Sequence, residues 1–243
     1  YFKQFKGMFE RIFLMGVSPV TLDDLSSGYN IDWNISVDPH FNMMMGFSET
    51  DVREMFGYYQ KEGMLKGDID AMINEMKPWY DNYCFAKECL KQDARVFNCD
   101  MVLYYIRQYM DSGHSPERMV DPNTKTDYNK LKKLLQLDRL DGDRRGVIRR
   151  IVEEGQIITE VEESFPAKDL TNPNIFPSLL FYYGMLTIKG TYGSQLILCI
   201  PNNNVRKQYY EYLLEGYNEY SGIRISSLLT LFTRMSFDGQ WRE

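Results

Sequence analysis

Apolar and polar positions along the chain follow two different rhythms. The first is a continuous apolar run, Arg11-Ile-Phe-Leu-Met-Gly-Val17, bounded by charge at one end and by Ser18-Pro19 at the other. Unbroken apolarity of that length predicts a strand buried on both faces, as in a parallel sheet. Asn34-Ile-Ser-Val-Asp38 is the only other short apolar segment nearby, so most of such a sheet is expected to be missing from the chain. Between them, Thr21-Leu-Asp-Asp-Leu-Ser-Ser-Gly-Tyr-Asn30 is rich in turn formers and carboxylates. It predicts a loop at the strand's carboxyl end, the edge where open α/β sheets hold ligands.

From Ser48 the rhythm becomes helical. Ser48-Glu-Thr-Asp51 offers a polar cap and acids for a first turn, and Val52, Met55, Phe56 and Tyr59 follow at helical spacing. A second helix is predicted from Asp68 to Lys77, stopping at Pro78. Trp79-Tyr-Asp-Asn-Tyr-Cys-Phe85 reads as an aromatic turn, and Asp100 to Met110 as a third helix. The loop-like stretch from Ser112 to Asp121-Pro-Asn marks the preferred boundary. Beyond it the pattern predicts helices Tyr128 to Leu137 and Arg145 to Glu154, a strand Gln156 to Val161, and a helix Phe176 to Tyr183. Gly184 to Gly190 and Gln195 to Pro201, joined by a turn at Gly193, read as a hairpin before a helix from Asn203 to Tyr217. Helices followed by a hairpin wing suggest a winged helix. The fold class is α+β, mostly helical.

Composition narrows the setting. With 243 residues, 44% of them hydrophobic and 26% charged, the chain lies inside the globular range and can bury a core. No apolar run reaches the roughly 18 residues of a membrane span, and no secretory leader opens the chain, so no membrane partner is expected. A net charge of -6 removes wholesale attraction to nucleic acid and leaves only a local patch for such a contact. The four cysteines are irregularly spaced, which points away from a disulfide framework and toward a reducing cytoplasm. Tyr1 opens the chain inside what reads as a helix end, and Trp241-Arg-Glu stops it within another helical pattern. Both are expected of a fragment.

Several of these stretches together resemble the bacterial AAA-ATPase-like family, relatives of the P-loop NTPases that often carry a PD-(D/E)XK nuclease-like domain last. The residues that carry the resemblance are Arg11 to Leu25, Ile35-Ser-Val-Asp-Pro39, Gly46-Phe-Ser-Glu49, Trp79 to Phe85, Val96-Phe-Asn98, Leu179 to Ile188 and Ile200-Pro-Asn202. In their order they span roughly residues 8 to 217. The family's glycine after Trp-Tyr-Asp is Asn82 here, a residue that also tolerates a left-handed turn. The resemblance implies a remnant of an α/β core over 1–47, a helical lid-like module over 48–122, a winged-helix-like module over 123–217 and a helical linker over 218–243. It implies ATP and magnesium for the parent protein. This sequence, however, holds neither a G-x-x-x-x-G-K-[ST] phosphate loop nor a strand ending in the acid pair that would hold the metal. The chain alone is therefore expected to be non-catalytic, its partners being the absent NTPase half and a possible nuclease-like domain.

Candidate residues each carry two readings. Ser18 lies where a polar sensor would face a nucleotide's last phosphate, or it simply ends the strand with Pro19. Asp23 and Asp24 could orient a water or metal, or serve as caps in a solvated turn. Trp79, Tyr80, Asp81 and Tyr83 are the densest aromatic cluster and fit corner packing better than ligand binding. Arg144, Arg145, Arg149 and Arg150, with Lys130, Lys132 and Lys133 nearby, form the one basic concentration, and Arg145 and Arg149 share a helix face. They could meet the phosphates of a nucleic acid, or form a solvated face paired with Asp138, Asp141, Asp143, Glu153 and Glu154. Asn172, Asn174 and Ser178 are the few polar side chains on the segment a helix-turn-helix reader would use. Cys84, Cys89, Cys99 and His114 miss zinc spacing, and Glu75-Met-Lys77 meets a nuclease pattern only within one helix.

Overall fold

Ser48 sets the first helix as its sequence requires. In the computed structural model its hydroxyl accepts from the Asp51 amide at 3.1 Å while the Asp51 carboxylate accepts from the Ser48 amide at 2.8 Å, a reciprocal capping box. The structure describes residues 34–92, 94–121, 144–163, 165–166 and 172–221, together with 13, 20–21, 231, 233–236 and 239. Helix α1 spans Glu49–Lys61, α2 Ile69–Tyr80 and α3 Cys99–Ser112. Asp68 caps α2, Asn98 caps α3, and Gly113 closes α3 in the left-handed conformation. Val52 and Phe56 of α1, Met72 and Met76 of α2, and Met101 and Tyr105 of α3 are buried against one another. Burying such side chains is worth about 1.5–3 kcal/mol each, which holds the unit together. Its exposed ion pairs, Lys77–Glu49 at 2.8 Å and Arg53–Asp70 at 2.6 Å, tie α1 to α2 but add less.

Helix α2 does not stop at Pro78 as the sequence predicts; it runs on to Tyr80. Proline removes one amide from the ladder so near the end of the helix. Tyr80 is fully buried and its hydroxyl donates to the Met119 carbonyl at 2.6 Å, which anchors the last turn.

A second unit follows. Strand β1 is Val20–Thr21, helix α4 is Arg144–Glu154, strand β2 is Gln156–Thr159 and strand β3 is Phe165–Pro166. Helix α5 is Phe176–Tyr182, β4 is Thr187–Tyr192, β5 is Gln195–Cys199 and α6 is Asn203–Ser221. The hairpin forms as predicted, and β2 pairs antiparallel with β5 on the side away from β4, giving the sheet order β2-β5-β4. Gln156 and Thr187 both face Cys199 in register, and a bulge separates Ile188 from Gly190. Ile148 and Ile151 of α4, Leu179 of α5, Leu198 of β5 and Tyr209 of α6 share the core of this unit. The whole is α+β, with three antiparallel strands among many helical residues.

Other expectations shift locally. Asn34–Asp38 is not a strand but a turn running into a 3-10 helix, Pro39–Phe41, because Asp38 caps it and Pro39 cannot donate to a ladder. Thr21, predicted in a loop, lies in β1, which pairs in parallel with β3. Strand β2 ends two residues before Val161, and α6 continues beyond Tyr217 to Ser221. The predicted strand 11–17, Ser18, Asp23, Asp24 and the predicted helix Tyr128 to Leu137 lie outside the described residues, apart from Phe13.

Candidate functional site

Stretches far apart in sequence meet where α2 ends. Asp81 closes α2, and Asn82 turns the chain with φ 83°, the only non-glycine residue in the left-handed region among the described residues. Asparagine bears that conformation better than other non-glycine residues, as its sequence position predicts. The Asn82 side chain then donates to the Pro201 carbonyl at 2.8 Å. Asn202 returns the contact: its Nδ2 donates to the Asp81 carbonyl at 3.0 Å while its Oδ1 accepts from the Val205 amide at 3.2 Å. One side chain thus caps α6 and fastens it to α2.

Thr187 completes the seam from β4. It is fully buried, and its hydroxyl accepts from the Cys84 amide at 2.8 Å, with the Asn82 and Cys84 carbonyls at 3.1 and 3.2 Å as acceptors for its hydrogen. The Ile188 amide donates to the Cys84 carbonyl at 3.2 Å, so the edge of β4 continues into the turn after α2. The Arg95 guanidinium reaches the Asn82 and Ile188 carbonyls at 3.4 Å each.

Behind this seam the remaining stretches act as a brace. Tyr83 exchanges amide bonds with Val96 at 3.2 and 3.0 Å, Phe47 pairs with Phe97, and the Asn98 amide donates to the Tyr80 carbonyl at 2.8 Å. Gly46 lies so close that a Cβ there would sit 2.4 Å from Val96 Cγ2. Only glycine permits that approach. Asn42, 2% exposed, accepts from the Phe85 and Ala86 amides and donates to the Ala94 carbonyl.

Chemically this is a hydrogen-bond clamp built from amides, carbonyls, the Thr187 hydroxyl and the Arg95 guanidinium. Its carboxyl is that of Asp81, pushed up by burial against the pull of the Asn82 amide, Lys77 and Arg95. The Cys84 thiol is buried and donates to the Ala86 carbonyl at 3.3 Å.

The sequence-predicted sites fare differently. Ser18, Asp23 and Asp24 lie outside the described residues. Arg144 requires a correction: it is 1% exposed, with its guanidinium 5.0 Å from the centre of the Phe176 ring, so it belongs to the core and not to a surface row. Arg145, Arg149 and Arg150 remain exposed on α4. On α5 every residue from Phe176 to Phe181 is buried, and Ser178 accepts from the Glu162 amide at 3.0 Å. That helix has no polar face to offer a base edge.

The sequence lacks the phosphate loop, and the described residues hold no group of three histidine, cysteine or carboxylate side chains that could hold a metal. Sequence reasoning missed Asn42, Arg95, Thr187 and Asn202. Asn202 had a legible signal, an N-cap asparagine immediately before a predicted helix; Thr187 had a weaker one, a lone hydroxyl in the apolar run Met185 to Ile188. No family model matches the chain, and no curated protein or solved structure matches it.

Proposed function

We propose that the chain is the coupling part of an AAA-ATPase-like protein. In this reading the unit of α1, α2 and α3 is its lid-like module and the unit from α4 to α6 its winged-helix-like module. ATP with magnesium would bind a P-loop half outside these 243 residues, and the seam would pass the resulting movement on to an effector such as a nuclease-like domain. The observation that carries the reading is convergence. Four of the seven stretches that bear the resemblance come together here: Trp79 to Phe85, Leu179 to Ile188 and Ile200 to Asn202 in hydrogen bonds between the units, and Val96 to Asn98 bonded behind them. Gly46 braces it by its contact with Val96. Leaving aside the two-residue β3, the order α4, β2, α5 and hairpin β4–β5, with β2 beside β5, is compatible with a winged-helix-like module and supports that part of the reading.

Two other readings weigh less. Nucleic-acid binding keeps Arg145, Arg149 and Arg150 but loses Arg144 and the reading helix, both of which are buried. A protein-interaction domain without ATPase activity would need no link between the seam and turnover. The test is made on the protein expressed from its native gene. It should hydrolyse ATP, with turnover reduced by Asn202→Ala at unchanged nucleotide affinity, and by Ser18→Ala more than binding is. A native protein that neither binds nor turns over ATP would overturn the reading.

A further inference from the structure

The seam's hydrogen bonds are neutral apart from those of the Arg95 guanidinium, and one carboxyl lies buried beside them. Asp81 stands at its centre, its main chain held by Asn202 of α6, and its Oδ1 is buried with no hydrogen-bond partner among the described residues. Elsewhere on α6, Asn204 Oδ1 and Gln208 Oε1 are also buried without a donor among the described residues. Buried acceptors in surplus are costly, and an ionised carboxylate among them costs most. Asp81 Oδ1 has no donor among the described residues, and taking up a proton removes the buried charge without rebuilding anything.

We propose that Asp81 is a proton-operated latch on the seam between α2 and α6: neutral, it lets the two units close on each other; ionised, it loosens them. The charges acting on it come from every side. Lys77 on its own helix and Arg95 from the segment before α3 favour the anion, and Glu49 at the start of α1 opposes it. Asp81 is also the C-cap of α2, where the helix dipole disfavours negative charge, whereas the abutting amide end of α6 favours it. Burial is the largest influence and raises the carboxyl above its ordinary range.

The sign follows from linkage. A carboxyl raised in the folded state binds its proton more tightly folded than unfolded. Its stabilising effect is complete below the unfolded value of about 3.9 and is lost as pH rises through the higher folded value. The latch is a property of the seam and stands whether or not the chain serves a nucleotide-driven protein.

The test compares thermal unfolding of the chain and of Asp81→Asn, which supplies a neutral donor at every pH, between acid and mildly alkaline conditions. The variant should melt higher than the parent at alkaline pH, and the gap should close as pH falls through the Asp81 titration. A variant that melts lower than the parent at alkaline pH, or a gap independent of pH, would overturn the latch. Should Asp81→Asn not fold, the carboxyl carbon of Asp81 in the parent chain can be titrated by NMR, with amide exchange of Cys84 and Ile188 followed in parallel. A midpoint above about 3.9, with protection of those amides declining through it, supports the proposal; a midpoint at or below that value contradicts it.

Discussion

The seam around Asn82 and the arginine face of α4 are built on opposite terms. At the seam, side chains meet backbone groups more than 100 residues away in sequence within hydrogen-bonding distance, each unit supplying partners to the other. On α4, Arg145, Arg149 and Arg150 share one helix and are exposed, and the neighbour that would have extended the row, Arg144, turns inward onto Phe176. A cluster drawn from one helix is often only what a solvated face looks like. A cluster drawn from four separate segments exists because the fold brings it together, and replacing any one member leaves the others with unmet hydrogen bonds.

That contrast can be broken by substitution. The largest effect is expected at the brace: Gly46→Val would push a side chain into Val96 and the Phe97 carbonyl, and should cost about 3 kcal/mol in chemical denaturation. Retention of full stability would mean that the packing behind the seam is not needed. Next, Asn202→Ala removes both the cap of α6 and the bond to Asp81, for a loss of about 2 kcal/mol. A loss no larger than that of an ordinary exposed cap would deny the bond to Asp81 any part.

Asn82 separates conformation from contact. Asn82→Ala loses the bond to Pro201 and must still adopt the left-handed backbone, so about 2 kcal/mol is expected; Asn82→Gly loses only the bond, about 1 kcal/mol. Equal losses would show that the turn's conformation carries no weight. The smallest effect belongs to the other region: Arg149→Ala should change stability by less than about 0.5 kcal/mol. Binding to a nucleic-acid duplex that falls steeply with salt and with Arg145→Glu would reverse the comparison and give α4 the functional role.

Much of the architecture was legible in the chain. The Ser48 capping box, the hairpin around Gly193 and the left-handed tolerance of Asn82 depend on local chemistry, which a sequence states directly. The continuation of α2 through Pro78 was not legible, because it depends on Tyr80 reaching Met119, a contact made only after folding. Asn34–Asp38 misled for a similar reason: its apolar residues suit a strand, yet Asp38 and Pro39 set a 3-10 turn. Arg144 is the clearest case. Charge alone placed it on the surface, whereas the Phe176 ring gives its guanidinium a place in the core. The seam was half legible. Its aromatic stretch stood out as corner packing, but Thr187 and Asn202 acquire their importance from partners 103 and 121 residues away.

The central claim is that the seam makes the two units one mechanical body, and hydrogen exchange on the native-gene protein carrying Asn202→Ala tests it most directly. The prediction is a matched loss of protection in α3 on one side of the seam and β5 on the other, since opening the clamp should release both units together. Loss confined to the first turn of α6, with α3 and β5 protected as before, would contradict it and reduce Asn202 to a local helix cap.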